Sequence, residues 1–465
     1  MSDTFPAPRL EDFAAACLEG AGSDSTEALT IAAHLVGANL AGHDSHGIGV
    51  LPLYVEHAKD GKVIPNAGPV VSGDNGAVIR VDGRGGFGAV TGKFATEEGA
   101  KRAKDHGVAV VLTGNTHHLG RIGGFAEQAA AEGLVWVSFV NVTDHRGIVA
   151  PWRGRDGRFG TNPVTVGTPG TPKHGPAIMD MATSQIAIGK ARVAIAAGKK
   201  VPMGALLDEN GDPTDDPSGM GWGETKGALT PFAEHKGYAL AFMCELLGGA
   251  LTGAGTIQPG TPRGGGVKNG MTAILIDPAA CGNWPGMAAE IDAFTDYCLA
   301  SPPQNPDEPV LAPGDAERLA RQLRGAAGIP LDDFTLNRLN AARDRADDRR
   351  FGGSDERREL IRALAANQCG PHYEDYAEPA RRGTLLGSLF GNRLFRDRSW
   401  GDPLSDGTFR TLCVRTCDGY YFPISFTTVR SRFARDAQLC QSMCPGTEVA
   451  LYVHRNPGEE SEAMV

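Results

Sequence analysis

Short apolar, β-branched segments alternate with segments of helical periodicity in this chain, and this alternation limits the fold more than any other feature. Residues 108–112 and 134–142 have the composition of buried strands, and residues 89–106 and 124–132 have that of helices. Upstream, apolar residues recur every three or four positions within residues 10–41, which predicts further helices. The alternation of strands and helices predicts an α/β core.

The length of the chain indicates more than one domain. At 465 residues it exceeds the size at which a single hydrophobic core usually stops growing. Residues 343–358 form a charged run that is broken by two glycines, which is typical of a connector between domains. We therefore expect a main domain at residues 1–342, a charged linker or helix at 343–368 and a cysteine-containing module at 369–465.

Composition and charge exclude several classes of partner. A net charge of −10 disfavours a nucleic-acid partner, which needs a basic protein face, and also adsorption to anionic lipid. The first residues lack the basic and apolar regions of a signal peptide, and no apolar run of about eighteen residues occurs. We therefore expect a cytoplasmic protein without nucleic-acid or membrane partners.

Residues 83–88 (GRGGFG) match the GxGxxG pattern between a predicted strand and a predicted helix. A dinucleotide-binding Rossmann unit also needs a carboxylate at the end of the next strand to bind the ribose. That strand ends at residues 112–115 (LTGN), which contain no carboxylate. We therefore interpret residues 83–88 as a glycine turn.

Two segments place a histidine among glycine and polar residues, where a loop side chain can contact a ligand. They are residues 41–47 (AGHDSHG) and residues 114–123 (GNTHHLGRIG). Histidine exchanges a proton near neutral pH, so these segments indicate acid–base chemistry. We expect no metal centre, because neither zinc-site spacing nor an HExxH motif occurs.

Together with residues 180–184 (DMATS) and 234–238 (EHKGY), these segments resemble the malate/L-lactate dehydrogenase-like family, and are most similar to its hydroxycarboxylate dehydrogenase B branch. The resemblance spans residues 8–342 and includes further segments at 139–142, 159–163, 247–253 and 328–332. It implies a non-Rossmann α/β fold of the malate/L-lactate (sulfolactate) dehydrogenase type. It also implies NAD or NADP as the cofactor, a small 2-oxo or 2-hydroxy acid as the substrate, and a homodimer with the site near the subunit interface.

The resemblance also implies roles for individual residues. His118 corresponds to the catalytic acid–base, and His46 is expected to support it, with Ser45 beside it and Asp180 as a carboxylate that orients the imidazole. Contacts with the cofactor carry over by position to residues that combine glycine turns, hydroxyls and positive charge. These residues are His46, Gly120, Arg121, Ile122, Asp180, Met181, Ala182, Thr183, Ser184, Lys236, Asn269, Gly314, Asp315, Ala316 and Glu317.

Some roles have alternatives on sequence alone. Residues 180–184 are equally compatible with a helix cap. His117 is expected to be structural, because only one of the neighbours His117 and His118 should face a pocket. His43 and His145 are expected either to be structural or to contact site residues without touching the ligand. The choice between NAD and NADP, and the substrate side chain, are open.

The substrate carboxylate has no assigned partner. Several relatives carry an arginine four residues after the position of His46, where this chain has Val50. Arg121 and Arg146 are the candidates that could bind the carboxylate instead.

The last part of the chain differs in character, since five of the nine cysteines follow residue 368. Cys413 and Cys417 form one C-x3-C pair, and Cys440 and Cys444 form another. This part resembles a small uncharacterised alphaproteobacterial module that usually occurs in exported proteins, and we expect a small α+β fold. Two cross-linking disulfides are favoured, with a zinc site and reduced thiols as alternatives.

Two other functions are compatible with the sequence. One is imine reduction on a cyclic amino acid, which some relatives of this family perform by the same transfer of a proton and a hydride. The other is a non-catalytic protein whose functional part is the tail, as a disulfide-stapled binding or envelope module. A fusion of two reading frames would also explain why the two parts indicate different compartments.

Overall fold

A computed structural model describes residues 3–196, 198–221, 226–346, 408–415, 421–428, 436–437, 440–441 and 449–456. The chain divides into two compact units, Met1–Ala363 and Leu364–Val465. The helices of the first unit are α1 (Ala7–Gly20), α2 (Ser25–Leu40), α3 (Leu51–Lys59), α4 (Gly88–His106), α5 (Gly123–Ala131), α6 (Ile188–Ala196), α7 (His235–Cys244), α8 (Trp284–Leu299), α9 (Asp315–Ala327) and α10 (Asp333–Ala346). Its strands are β1 (Asp3–Phe5), β2 (Val70–Asn75), β3 (Val78–Asp82), β4 (Val108–His117), β5 (Val135–Thr143), β6 (Val164–Thr168), β7 (Ala177–Met181), β8 (Leu206–Leu207), β9 (Pro213–Thr214), β10 (Ala228–Leu229), β11 (Lys268–Ile276) and β12 (Ile329–Leu331).

A seven-stranded mixed sheet forms the centre of the first unit, in the order β2-β3-β4-β11-β5-β6-β7. Within this sheet only β3 and β4 are parallel, and every other neighbouring pair is antiparallel. Strand β11 comes late in the sequence and lies between β4 and β5. A Rossmann fold requires a mostly parallel sheet, so this topology agrees with the expected non-Rossmann α/β architecture.

Helices α4 and α5 pack on the sheet through small residues that permit close approach. A Cβ atom at Gly92 of α4 would lie 2.2 Å from Cζ of Phe125 in α5, and one at Gly99 would lie 2.7 Å from Cγ2 of Val111 in β4. The fully buried Trp136 of β5 belongs to the same apolar cluster. A second, smaller cluster joins α6 and α7 with the short strands β8 and β10.

Most predicted core elements are confirmed with small shifts of their ends. The helix predicted at residues 89–106 is α4, and the strand predicted at 134–142 is β5. Helix α7 begins at His235 and is followed directly by a π-helical turn at Glu245–Ala250. Helix α10 runs through Ala346, so residues 343–346 of the predicted linker are helical.

The glycine turn at residues 83–88 packs against the strand end that carries the predicted catalytic histidine. Gly85 has a φ of 74°, and its amide donates a hydrogen bond of 2.8 Å to the carbonyl oxygen of Asn115. A Cβ atom at Gly88 would lie 2.2 Å from the carbonyl oxygen of His118. The GxGxxG pattern therefore serves close main-chain packing under the histidine loop.

In the second unit, strands β13 (Thr408–Arg415), β14 (Tyr421–Thr428) and β15 (Val449–Asn456) form an antiparallel sheet in the order β14-β13-β15. Cys440 is buried and disulfide-bonded. Cys369, Cys417 and Cys444 lie outside the described residues, so the proposed pairing of the tail cysteines stays a prediction. Among the described residues of the chain, no helix is both long and apolar enough to cross a membrane.

Gly88→Ala should lower the free energy of unfolding by about 1–3 kcal/mol, because the added methyl group overlaps main-chain atoms of the histidine loop. Gly37→Ala in α2 is the control, since no described atom lies within 4 Å of its added Cβ. That variant should be slightly more stable than the wild type. Urea unfolding followed by circular dichroism measures both, and equal stability of the two variants would contradict the packing role of Gly88.

Candidate active site

His46 and His118 meet face to face although they come from distant parts of the chain. His46 ends the 3₁₀ turn Asp44–His46, and His118 follows the last residue of β4. Their ring centroids lie 5.7 Å apart, with the planes inclined by 18°. Oγ of Ser45 lies 3.0 Å from Nδ1 of His46. The structure thus brings together the three residues that the sequence assigns to acid–base chemistry from these two loops.

Tyr54 of α3 fixes the ring of His118. Its hydroxyl oxygen lies 2.9 Å from Nδ1 of His118, and the two rings meet edge to face. Burial raises the pKa of Tyr54 above its ordinary value, so the phenol keeps its proton. Within the described residues no hydrogen bond engages Nε2 of His118, which leaves that nitrogen for a ligand. Helical periodicity places Tyr54 only on an apolar face of α3. Its position in the helix that follows the His46 turn is the signal that could have identified it.

Both imidazoles are uncharged near neutral pH because each is half-buried and desolvated. Burial lowers the pKa of His118 well below 6.5, and the neighbouring His46 and His117 lower it further. Burial also lowers the pKa of His46, while the negative charge of Asp180 opposes this shift. A neutral imidazole accepts a proton, so His118 is suited to be the base in the oxidation of an alcohol.

Asp180 in β7 has other partners than the expected one. Its Oδ2 accepts a hydrogen bond of 2.7 Å from the amide of Gly123, and its Oδ1 accepts one of 2.8 Å from Oγ1 of Thr165. Gly123 begins α5, so the carboxylate lies at the positive end of the helix dipole. In the described structure Asp180 acts on His46 only through its charge, and Ser45 is the hydrogen-bonding neighbour of that imidazole.

The guanidinium group of Arg121 is buried and already paired. Its Nη1 and Nη2 donate to Glu127 at 3.1 and 2.8 Å, and Arg321 of α9 binds the same carboxylate at 3.0 and 2.6 Å. The Arg121 side chain therefore binds within the protein, where it holds the turn at residues 120–123 to Glu127, rather than pointing to a cofactor or substrate. Arg146, the other carboxylate candidate, is exposed, and one of its Nη atoms lies 3.5 Å from the carbonyl oxygen of Gly227.

Residues 180–184 lie beside the start of α7, as a shared cofactor site requires. The amide of Phe232 donates to the carbonyl oxygen of Thr183 at 3.0 Å, and a Cβ atom at Gly237 would lie 2.8 Å from the same oxygen. Lys236 is exposed next to Gly237. The half-buried Met181 and Ala182 lie between Asp180 and Thr183 along the chain.

The hydroxyl groups of Thr183 and Ser184 bind main-chain carbonyls, and the contact with a ribose or phosphate stays a prediction. Oγ1 of Thr183 lies 3.0 Å from the carbonyl oxygens of both Thr161 and Asn162. Oγ of Ser184 donates to the carbonyl oxygen of Ile186 at 2.8 Å. Both residues are buried, and their hydrogen bonds fix the main-chain conformation of residues 183–186.

Residues 314–317 begin α9 and lie against β7. Gly314 has a φ of 93°, and a Cβ atom there would lie 3.0 Å from the carbonyl oxygen of Pro176. Oε1 of Glu317 lies 2.9 Å from Nε2 of His43, and Asp315 accepts a hydrogen bond of 2.8 Å from the amide of Ala312. Ala316 is exposed beside them. The carboxylates of Asp315 and Glu317 therefore bind within the protein. An anion could bind this segment through the main-chain amides at the N-terminus of α9.

Asn269 holds the His118 loop rather than facing a ligand. Its Oδ1 accepts a hydrogen bond of 2.7 Å from the amide of Leu119, and its Nδ2 donates to the carbonyl oxygen of Asn141 at 2.8 Å. The side chain is buried and lies at a bulge of β11. These contacts position the His118 loop, and the expected cofactor contact of Asn269 stays a prediction.

The other histidines of these loops have protein partners, as expected for structural residues. Nε2 of His117 lies 2.7 Å from Nδ1 of His57 in the core, and His43 binds Glu317. Nδ1 of His145 lies 2.5 Å from the carbonyl oxygen of Arg146. Among the described residues, no group of three or more metal-binding side chains is found.

Three of the predicted segments, at residues 120–123, 180–184 and 314–317, adjoin one another along β7. The turn at residues 120–123 reaches Asp180 through the amide of Gly123, and residues 314–317 pack on the start of the same strand. Glycine-turn amides, a helix N-terminus and the exposed Lys236 are groups that suit the phosphates of a nicotinamide dinucleotide. A neutral histidine pair beside such groups is suited to the proton transfer that an oxidoreductase acting on an alcohol needs.

Comparisons with known proteins identify the family. Residues 5–340 match the family model described as malate/L-lactate dehydrogenase. Hydroxycarboxylate dehydrogenase B of Escherichia coli (strain K12) is 45% identical over 330 residues, which cover 70% of this chain and 90% of that protein. L-lactate dehydrogenase of Cupriavidus necator is 41% identical over 291 residues, 63% of this chain and 83% of that protein. The chain belongs to the malate/L-lactate dehydrogenase family.

A solved structure supports the same fold, and the tail matches a separate family. The crystal structure of a dehydrogenase from Sinorhizobium meliloti aligns with a TM-score of 0.67 at 31% identity, and covers 74% of this chain and 98% of that chain. Residues 408–465 match a family described as a protein of unknown function. The family assignment of the main domain therefore does not extend to the tail.

The buried histidines should make the protein less stable in acid. Burial lowers the pKa of His117 to about 3 and that of His34 to about 4. The unfolded chain binds these protons near pH 6.5, so it takes up more protons than the folded chain and stability falls as the pH falls from about 6.5 to 4.

His117→Gln removes one of these groups, and its thermal midpoint should therefore decrease less steeply than that of the wild type over this range. The exposed His106 supplies the control, and His106→Gln should follow the wild-type slope. Thermal unfolding at a series of pH values measures all three proteins. Equal slopes for His117→Gln and the wild type would show that His117 does not contribute to acid sensitivity.

Proposed function

We propose that this protein is an NAD(P)-dependent dehydrogenase that interconverts a 2-hydroxy acid and a 2-oxo acid of the malate, lactate or aryl- or hydroxypyruvate type in the cytoplasm. The observation that carries the proposal is the stacked, uncharged pair of His46 and His118, with Tyr54 holding one nitrogen of His118. The match to the malate/L-lactate dehydrogenase family supports the same reaction class.

His118 moves the substrate proton in this mechanism. In oxidation Nδ1–H donates to the hydroxyl oxygen of Tyr54, so the free Nε2 accepts the proton of the substrate hydroxyl, and in reduction the protonated ring returns that proton to the carbonyl oxygen. Tyr54 holds the ring from Nδ1, and His46 packs against its face, so the imidazole keeps one orientation through both steps. A bound nicotinamide ring supplies hydride in reduction and accepts it in oxidation.

Binding of substrate and cofactor is assigned to different groups. Lys236 and the main chain of residues 120–122, 180–184 and 314–317 would hold the cofactor phosphates and ribose. Arg146 is exposed and close to Asp144–His145 in sequence, so we assign the substrate carboxylate to it. This arginine takes the place of the one that relatives carry at the position of Val50.

His118→Ala should lower kcat by about 10²–10⁴-fold, since general acid–base catalysis contributes rate factors of this size. Oxidation of NADH and of NADPH against a panel of 2-oxo acids measures the loss. His106→Ala, at an exposed position, is the control and should keep wild-type activity.

The other outcomes distinguish the alternatives. Full activity of His118→Ala would move the acid–base role to His46. Turnover of cyclic imines but of no 2-oxo acid would favour the imine reductase alternative. Failure to bind either cofactor would overturn the dehydrogenase proposal and favour a non-catalytic protein with a functional tail.

We also propose that two copies associate through the exposed face of α7 and the π-helical turn after it. Phe242, Met243 and Leu246 are each more than two-fifths exposed, and Leu251 extends the same apolar surface. They recur at helical spacing on the side opposite the buried Ala241. A contiguous apolar face of this kind is typical of a protein interface, and a second copy offers the same face by two-fold symmetry.

Leu246→Glu should convert the dimer to a monomer, because it places charge in the apolar interface. Sedimentation velocity measures this change against the chain mass of 48.8 kDa. Leu29→Glu, at an exposed leucine of α2, should remain dimeric. A monomeric wild-type protein, or a Leu246→Glu variant that stays dimeric, would contradict this interface.

A further inference from the structure

Helix α9 carries a row of charged residues that reaches both loops of the candidate site. Glu317, Arg321 and Arg324 are spaced by four and three residues, so they lie on one helix face. Glu317 binds His43, which precedes the His46 turn. Arg321 binds Glu127 in α5, the residue that also pairs with Arg121.

Arg324 makes the most extensive of these contacts. Its Nη1 and Nη2 donate to the two carboxylate oxygens of Asp44 at 2.6 and 2.9 Å, and Nη1 also donates to the carbonyl oxygen of Asn39 at 2.6 Å. Asp44 begins the 3₁₀ turn that ends at His46. Arg324 therefore ties the first residue of that turn to the end of α2.

Asn39 completes the attachment of the turn. Its Nδ2 donates to Asp44 at 2.6 Å, and its Oδ1 accepts a hydrogen bond of 2.7 Å from the amide of Ile48. A Cβ atom at Gly47 would lie 2.3 Å from its Cγ. The turn with Ser45 and His46 is thus held on both sides, by residues that do not touch the imidazole itself.

The other end of the row acts on the Arg121 turn. Glu127 receives two hydrogen bonds from Arg121 and two from Arg321, so its carboxylate joins this turn to α9. Two-point guanidinium–carboxylate contacts restrict orientation as well as distance. A single rigid helix therefore contacts the supports of both loops.

We propose that α9 is a positioning element for catalysis, in which Arg324 and Glu317 set the place of His46 and Arg321 sets the place of the 120–123 turn. None of the three side chains is a catalytic residue, since each acts through another group. This proposal rests on the dehydrogenase function proposed above. It predicts that loss of one exposed ion pair, which usually contributes little to stability, has a large effect on turnover.

The test compares Arg324→Gln with Arg102→Gln in the full-length protein. Both arginines pair with an aspartate at 2.6 Å, and the exposed side-chain fractions are 21% and 49% for Arg324–Asp44 and 24% and 49% for Arg102–Asp74. Arg102 lies in α4 and pairs with β2, away from the candidate site residues. We measure kcat, KM and hydrogen–deuterium exchange of the peptide covering residues 38–50.

Arg324→Gln should exchange faster at the amides of residues 46, 47 and 50, whose hydrogen bonds form the two short turns. Its kcat should fall by about 10- to 100-fold, the size expected for a small misplacement of a reacting group. Its KM and thermal midpoint should stay close to those of Arg102→Gln. Arg324→Lys, which keeps the charge but not the two-point contact, should be intermediate in both exchange and kcat.

Three results would overturn the proposal: unchanged exchange in Arg324→Gln, faster exchange with unchanged kcat, or equal loss of kcat in Arg102→Gln. If the wild-type protein shows no turnover with any 2-oxo acid, the dehydrogenase proposal fails. Exchange then decides the role of α9 by itself: faster exchange in Arg324→Gln alone supports the attachment of the His46 turn, and unchanged exchange refutes it.

Discussion

The insertion of β11 between β4 and β5 is the constraint on which the candidate site depends. This strand pairs along its whole length with both neighbours, and at its bulge it brings Asn269 to the end of β4. There the side-chain amide binds the main chain of Leu119 on one side and of Asn141 on the other. The loop that carries His118 is therefore anchored by a residue far away in sequence. Because the anchor is buried in the sheet, the position of His118 follows from the fold rather than from its own loop alone.

The same burial determines the charge state of the site. His34, His57, His117 and His118 all have lowered pKa values, and burial is the largest cause for each. Imidazoles packed this closely can coexist only when most of them are neutral, since two neighbouring positive charges in a medium of low polarity would repel strongly. Neutrality is also what a base needs before it accepts a proton. The packing that brings the histidines together thus keeps His118 neutral, as a base must be before it accepts a proton. The same packing makes the folded state less stable at acid pH.

Local sequence patterns predict the elements but not their partners. Helix α4 and strand β5 follow from periodicity and composition, because each is defined by residues close together in sequence. The place of β11, and the pairing of Tyr54 with His118, depend on contacts between distant segments and leave no periodic signal. The resemblance to the family identified His46 and His118, but not that the Arg121 side chain is used by Glu127. Hydroxyl and guanidinium groups were expected to face a ligand because their chemistry suits one, whereas their direction is set by tertiary packing.

A buried carboxylate joins several segments that lie outside the two histidine loops. Glu245, in the π-helical turn, accepts hydrogen bonds from the side-chain amides of Asn162 and Asn141 and from the main-chain amide of Ile257. These donors come from strand β5 and from two loops, and they offset part of the cost of burying the carboxyl, whose pKa burial raises. The turn also lies so close to β11 that a Cβ atom at Gly270 would be 2.1 Å from the carbonyl oxygen of Gly248. Glu245 therefore joins α7, which begins beside Lys236, to the sheet that positions His118. This buried polar contact therefore links α7 to the sheet, in addition to the charged contacts that link α9 to the two histidine loops.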